Sequence, residues 1–233
     1  MTTIASNLQA VNDEIHHAVT QAKRTPTSLK LLAVSKTFSA DEVRLAYLAG
    51  QTCFAENYLQ EAVDKIAALH DLPLEWHFIG PLQSNKTRLI AQHFAWVHSV
   101  DRLTIAERLS AQRPLTLPPL QICLQVNISA EASKSGVAPE QAVVLAMQLA
   151  RLPNLTLRGL MAVPAASDDI ALQRAGFAKL RELRDALNQH GLQLDTLSMG
   201  MSHDFPAAIA EGATLLRIGS AIFGNRNYSK ETV

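Results

Sequence analysis

The sequence predicts a closed (β/α)8 TIM barrel of the α/β class with an additional N-terminal helix, and three observations carry that prediction. Eight short β-rich runs occur along the chain, and a helical stretch follows each of them. Repeated βα units pair their strands in parallel through right-handed crossovers, and eight units of about 25 residues match the usual barrel size. An open doubly wound sheet, the other arrangement of alternating units, carries a Gly-x-Gly-x-x-Gly after a strand, and no strand here is followed by one.

The elements run in order. Residues 3–23 place Ile4, Leu8, Val11, Ile15 and Val19 at spacings of four, three, four and four, which is one face of an amphipathic helix outside the alternation. The β-rich runs are 29–36 (LKLLAVSK), 52–57 (TCFAEN), 74–80 (LEWHFIG), 95–101 (AWVHSVD), 120–128 (LQICLQVNI), 156–163 (TLRGLMAV), 196–202 (TLSMGMS) and 215–219 (LLRIG). Helical stretches lie near 40–49, 58–69, 84–93, 102–112, 139–151, 168–190 and 204–211. Ser39 precedes Ala40-Asp41-Glu42 and forms a capping box, with Ser84 and Asp101 at similar places. Pro139 suits the first turn of its helix, and Gly50 and Gly191 stand where helices end. Pro114, Pro118 and Pro119 mark an exposed connection, but no Pro-, Gly- or Ser-rich break divides the chain, which reads as one domain over 1–233.

Composition narrows the function classes. Hydrophobic residues are 48% and charged residues 18% of the 233, enough apolar material for a sizeable core and unlike a disordered chain. Lys+Arg and Asp+Glu are 21 each, so there is no basic excess to displace counterions from nucleic acid and no charge that calls for an anionic membrane. The longest apolar stretch, Ala142 to Met147, is far short of the roughly 20 residues that span a bilayer. Cys53 and Cys123 sit inside apolar runs and read as small buried hydrophobes, and no Cys-x-x-Cys is present. With no signal-like N-terminus, the chain reads as cytoplasmic.

In such a barrel, chemistry sits where the strands end. Strand 1 ends in Ser35-Lys36, strand 2 in Glu56-Asn57, strand 5 in Asn127, strand 7 in Ser202 and strand 8 in Arg217-Ile218-Gly219-Ser220, so polar side chains gather on one rim. LKLLAVSK places an amine at the end of an apolar strand, where desolvation favours the neutral form. A lysine so placed is a nucleophile towards aldehydes; alternatively it snorkels out of the barrel mouth. The loops after strands 7 and 8 read GMSHD (200–204) and RIGSAIFG (217–224). Their Gly-Ser pairs, with a short helix after Gly219, suit a phosphate. Together the two elements describe an aldehyde that carries a phosphate: pyridoxal 5′-phosphate, or a sugar phosphate handled by a Schiff-base aldolase.

Seven segments then carry a resemblance: AVSK, ENYLQE at Glu56 to Glu61, EWHFIGPLQSNK at 75–86, SKSG at 133–136, RGLM at 158–161, LSMGMS at 197–202 and RIGSAIFG at 217–224. In this order and register they resemble the pyridoxal phosphate homeostasis protein family (YggS/PROSC) from Leu31 to Lys230. The resemblance implies a single barrel like the N-terminal domain of alanine racemase, holding pyridoxal phosphate as a Schiff base in intracellular cofactor homeostasis, with effects on amino-acid and keto-acid balance. It implies Lys36 as the Schiff-base lysine, Ser202, Gly219 and Ser220 at the phosphate, Arg217 at the pyridine nitrogen and Asn57 near the ring. His203-Asp204 departs from the pattern, where an acidic residue is expected first, and bears on rim charge.

Two restraints set expectations for catalysis. A guanidinium only donates hydrogen bonds, so Arg217 keeps the ring nitrogen unprotonated and weakens the ring as an electron sink, unless it pairs instead with a barrel carboxylate such as Glu56. The chain ends at Val233, soon after RIGSAIFG, and the second domain and second acid/base group of alanine racemases are not expected. A non-catalytic carrier, with no catalytic residue assigned and with pyridoxal phosphate-dependent apo-enzymes as recipients, fits better than the alternative racemase or transaminase acting on small amino acids. His77 reads as a satisfied interior histidine and Lys134 as a solvated lysine, the alternatives being a ring contact and a relay of the aldehyde. Ser84, Asn85 and Lys86 read as helix-opening residues. The eight histidines show no ligand spacing, so no metal is expected, and balanced charge with an open barrel mouth suits a monomer.

Overall fold

The apolar stripe of the first segment folds as the helix α1 (Ile4–Gln21), which buries Leu8, Val11, Ala18 and Val19. After a 3-10 turn at Pro26–Ser28 the alternation begins. In the computed structural model, which describes residues 3–129, 131 and 134–224, the order is β1 (Lys30–Val34), α2 (Ala40–Leu48), β2 (Cys53–Glu56), α3 (Leu59–Ala68), β3 (Glu75–Phe78), α4 (Thr87–His93), β4 (Trp96–Val100) and α5 (Leu103–Gln112). It continues with β5 (Leu120–Gln125), α6 (Pro139–Leu149), β6 (Leu155–Met161), α7 (Ile170–Gln189), β7 (Thr196–Ser198), α8 (Phe205–Ala210), β8 (Leu215–Ile218) and α9 (Ser220–Phe223). All eight strands pair in parallel with their sequence neighbours, and β1 pairs with β8, Lys30 opposite Leu215 and Ala33 opposite Ile218, to close the barrel.

Helix punctuation explains most boundaries. Ser39 Oγ accepts from the Glu42 backbone N–H, and Glu42 reaches back to the Ser39 N–H, which completes the capping box. Pro139 opens α6, and Gly50 and Gly191 lie past helix ends with φ of 99° and 92°. Ser84 and Asp101 do not cap. The helices start later, at Thr87 and Leu103, after Lys86 and Arg102, which make no side-chain cap; the Ser84 carbonyl accepts from Thr87 and Arg108 instead, and Asp101 pairs with Arg102. Strand 7 is also shorter than read, since Gly200 turns the chain towards α8 with φ of 94°.

Alternation along each strand separates two interiors. Outward residues such as Phe54, Val97, Ile122, Leu160 and Leu197 pack with the helices in one large core. Inward residues, among them Leu32, Val34, Ala55, Trp96, Cys123 and Met161, fill the barrel itself. Both cysteines are buried and form no disulfide, and burial pushes the Cys123 thiol up to about 12.

Candidate functional site

At the C-terminal mouth a cleft of about 400 Å3 opens, within the size range of small-molecule sites. Lys36, Asn57, Ser202, Arg217, Gly219 and Ser220 all line it, with an apolar wall that includes Val34, Ile79 and Met161. Thus the six residues singled out from the sequence come together from four separate stretches of chain. Gly200 is absent from the wall: it packs against Ala208 and Leu216, which a Cβ would meet at 2.7 and 2.8 Å.

Lys36 stands two residues beyond β1, and a buried node behind it fixes its backbone. Lys65 Nζ, from α3, donates to the Ser35 carbonyl (2.6 Å) and Glu56 Oε1 (2.7 Å) and forms an ion pair with Glu61 Oε1 (2.6 Å). Glu61 Oε1 also accepts from the Thr37 N–H at 2.6 Å, and Ser35 Oγ donates to Glu56 Oε1 at 2.7 Å. Thr37 has φ of 70°, a left-handed conformation that is costly for a β-branched residue and persists only where neighbours enforce it. Lys36 is therefore bracketed on both sides by groups that Lys65 and Glu61 hold. The ENYLQE segment contains both glutamates, and Lys65 lies one turn after Glu61, which is the signal from which this support was legible.

Asn57 follows β2 and lines the cleft, and its Oδ1 is buried with no hydrogen-bond partner among the described residues. Its backbone lies against Gly80, where a Cβ would sit 2.0 Å from the Asn57 carbonyl oxygen. Across the cleft, Ser202 Oγ and Ser220 Oγ are 3.4 Å apart, and Gly219 brings the chain so close that a Cβ would stand 3.0 Å from the Val34 carbonyl oxygen. Phe38, stacked on Phe223 at 4.9 Å, ties the segment after Lys36 to α9. His203 is exposed on the rim, whereas Asp204 turns back to accept from the Met201 N–H at 2.6 Å.

Arg217 lies inward on β8, buried, and donates to Ser198 Oγ (2.7 Å) and to the Ala162 carbonyl (2.9 Å). Its bonds do not include Glu56, whose counter-ion is Lys65. Burial pushes the guanidinium down to about 10, so it is still charged at neutral pH. His77 is interior and away from the cleft, bonded to Glu75 and His98. Lys134 pairs with Glu131 at 3.2 Å; Ser133 of the SKSG segment and residues 225–233 lie outside the described residues. Asn127 ties its own loop by donating to the carbonyls of Glu131 and Lys134. At the opposite mouth Cys53, Glu75 and His77 bring their ligand-type atoms within 4.8 Å, and the Lys30 ammonium sits 3.0 Å from Glu75 in that group.

Burial holds both interior histidines neutral, His98 well below the usual imidazole range and His77 lowered against the pull of Glu75. In the unfolded chain the same rings take up protons below about pH 6.5. Because the unfolded state then binds more protons, stability is lost as pH falls below that value. The wild-type margin over His98→Gln in denaturant titrations is expected to shrink from about pH 6.5 to about pH 5, by up to ~1.4 kcal/mol per pH unit. A margin independent of pH counts against a neutral His98.

The closed parallel barrel with its cleft at the strand ends places the chain among the (β/α)8 barrels, and within them the alanine racemase N-terminal domain family matches residues 7–227. The alanine racemase of Corynebacterium glutamicum has the same fold at 16% identity (TM-score 0.68), with 94% of this chain and 63% of that one covered. The chain is 61% identical over 228 residues to the pyridoxal phosphate homeostasis protein of Pseudomonas aeruginosa, covering 98% of each. PipY of Synechococcus elongatus, solved with pyridoxal phosphate (PLP) bound, is 40% identical with a TM-score of 0.83, covering 95% of this chain and 100% of that one. The chain belongs to the pyridoxal phosphate homeostasis protein family.

Proposed function

We propose that this chain binds pyridoxal 5′-phosphate in the C-terminal cleft and serves intracellular homeostasis of that cofactor as a non-catalytic carrier. The observation that carries the reading is the convergence of the Lys36 amine and the Ser202, Gly219 and Ser220 rim on one cleft of about 400 Å3. The buried Asn57 Oδ1 fits the same reading, as an acceptor that lacks a donor among the described residues. The cofactor supplies an aldehyde for a lysine amine, a phosphate and a pyridine ring. Lys36 is the Schiff-base lysine, Ser202, Gly219 and Ser220 seat the phosphate, and Asn57 lies beside the ring. Arg217, which lines the same cleft, would hold the ring nitrogen and, as a donor only, would keep it unprotonated, which argues against broad carbanion chemistry.

The similarity to the P. aeruginosa protein and to PLP-bound PipY supports this assignment. The reading includes a cytoplasmic monomer that passes cofactor to PLP-dependent apo-enzymes. Among the described residues, no helix is long and apolar enough to cross a membrane. Incubation with pyridoxal phosphate, borohydride reduction and peptide mass mapping test the assignment. The pyridoxyl group is expected on the peptide that contains Lys36; label confined to other lysines, or no label, sinks it. Deuterium exchange at the α-carbon of a panel of amino acids tests the carrier role, and rapid exchange with turnover would favour a racemase or transaminase.

A further inference from the structure

A line of polar side chains crosses the apolar barrel interior from one mouth to the other. At the mouth opposite the cleft, Glu75 Oε1 lies 3.0 Å from Lys30 Nζ and 2.8 Å from His77 Nε2. His77 Nδ1 is 2.9 Å from His98 Nε2, and His98 Nδ1 is 2.7 Å from Ser198 Oγ. Ser198 Oγ in turn accepts from Arg217 Nη1, at the floor of the cleft. His77, His98, Ser198 and Arg217 are all buried, and His77 stacks on Trp96 at 5.4 Å.

The ends of this line set its direction. Ser198 Oγ accepts from Arg217, and with no other acceptor in reach of it among the described residues its own hydrogen goes to His98 Nδ1. A neutral His98 with an accepting Nδ1 carries its proton on Nε2 and donates to His77 Nδ1. His77 then carries its proton on Nε2 and donates to Glu75. A carboxylate only accepts, so the far end independently demands the same order. Both ends assign the same tautomer to both rings, and a reversal would set an unprotonated His77 Nε2 against the Glu75 carboxylate, acceptor against acceptor.

We propose that Glu75, His77, His98 and Ser198 are positioning residues for Arg217, a one-directional hydrogen-bond chain through the barrel that aims the guanidinium into the cleft. The proposal rests on the reading of that cleft as the pyridoxal phosphate site. It extends the site's machinery to the opposite mouth of the barrel, through residues that touch no cofactor.

The test uses the full chain, with 15N-labelled histidine, before and after addition of pyridoxal phosphate. Long-range 15N–1H spectra at neutral pH are expected to show both rings neutral with the proton on Nε2, a readout that needs no cofactor. His98→Leu and Ser198→Ala each break the chain and are expected to weaken pyridoxal phosphate binding about tenfold, the scale of one hydrogen bond to a charged group, and to shift the visible band of the bound cofactor. His98→Gln keeps an acceptor and a donor in the same order and is expected to bind within about threefold of wild type. A proton on Nδ1 of either ring, or a charged ring, overturns the proposal. So does a folded His98→Leu with wild-type affinity and band, or a His98→Gln no better than His98→Leu. If the variants do not fold, the wild-type tautomers still decide. A wild-type chain that takes up no cofactor overturns the cleft reading and the positioning role with it, whereas uptake indifferent to residue 98 overturns the positioning role alone.

Discussion

Replacing Lys65 with methionine is expected to lower the free energy of unfolding by about 3–5 kcal/mol, the scale for removing one member of a buried ion pair. Methionine keeps most of the stem and deletes the ammonium, leaving Glu56 fully buried without its counter-ion. Burial already raises the Glu56 carboxyl, and Lys65 is the main force opposing that shift. Without Lys65 the carboxyl is expected to take up a proton rather than stay charged in the core. A carboxyl raised in the folded state favours folding at low pH, and that contribution is lost as pH rises through its folded pKa. The deficit against wild type is therefore expected to be smaller at about pH 5 than at about pH 8. Urea unfolding of both proteins at the two pH values measures it. A deficit under about 1 kcal/mol, or one equal at both, would show that the node behind Lys36 is not held by this charge.

Gly80→Ala is the second large effect expected. Its Cβ would stand 2.0 Å from the Asn57 carbonyl oxygen and 2.7 Å from the carbonyl carbon, and neither is the end of a flexible side chain. Backbone must move, so the cost is expected at or above the ordinary 1–3 kcal/mol of over-packing, about 5 °C or more in Tm. The element that moves carries Asn57, so pyridoxal phosphate uptake is expected to weaken with it. Gly50→Ala is the control: no atom lies within 4 Å of its Cβ, and only the φ of 99° opposes it. That strain costs about 1–2 kcal/mol and leaves the cleft alone. Calorimetry and equilibrium dialysis separate the two, and equal behaviour of the variants would remove the close approach at Gly80 as the cause.

Much of the barrel was legible before any coordinates because its signals are local. An apolar stripe at helical spacing, a capping box at Ser39, β-rich runs and a proline at a first helical turn each act within a few residues. The mistaken caps at Ser84 and Asp101 show the limit of that locality. Both residue types suit the position, but Arg108 and Arg102, set by the packing of α4 and α5, engage their oxygens or their neighbours instead.

The candidate cleft divides in the same way. Lys36, Asn57, Ser202, Arg217, Gly219 and Ser220 follow from the sequence because a barrel of parallel strands sends every strand end to one face, so chemistry-bearing residues at those ends must converge. What surrounds them belongs to the tertiary structure. Ser35 meets Glu56 and Lys65 only when β1, β2 and α3 pack together, and His98 meets Ser198 across 100 residues of chain. The alternation of a strand says which side chains face inward; the register and closure of the barrel decide which inward side chains touch. A buried polar group is stable only with such a contact, so the supports of Lys36 and Arg217 become visible when the eight strands close.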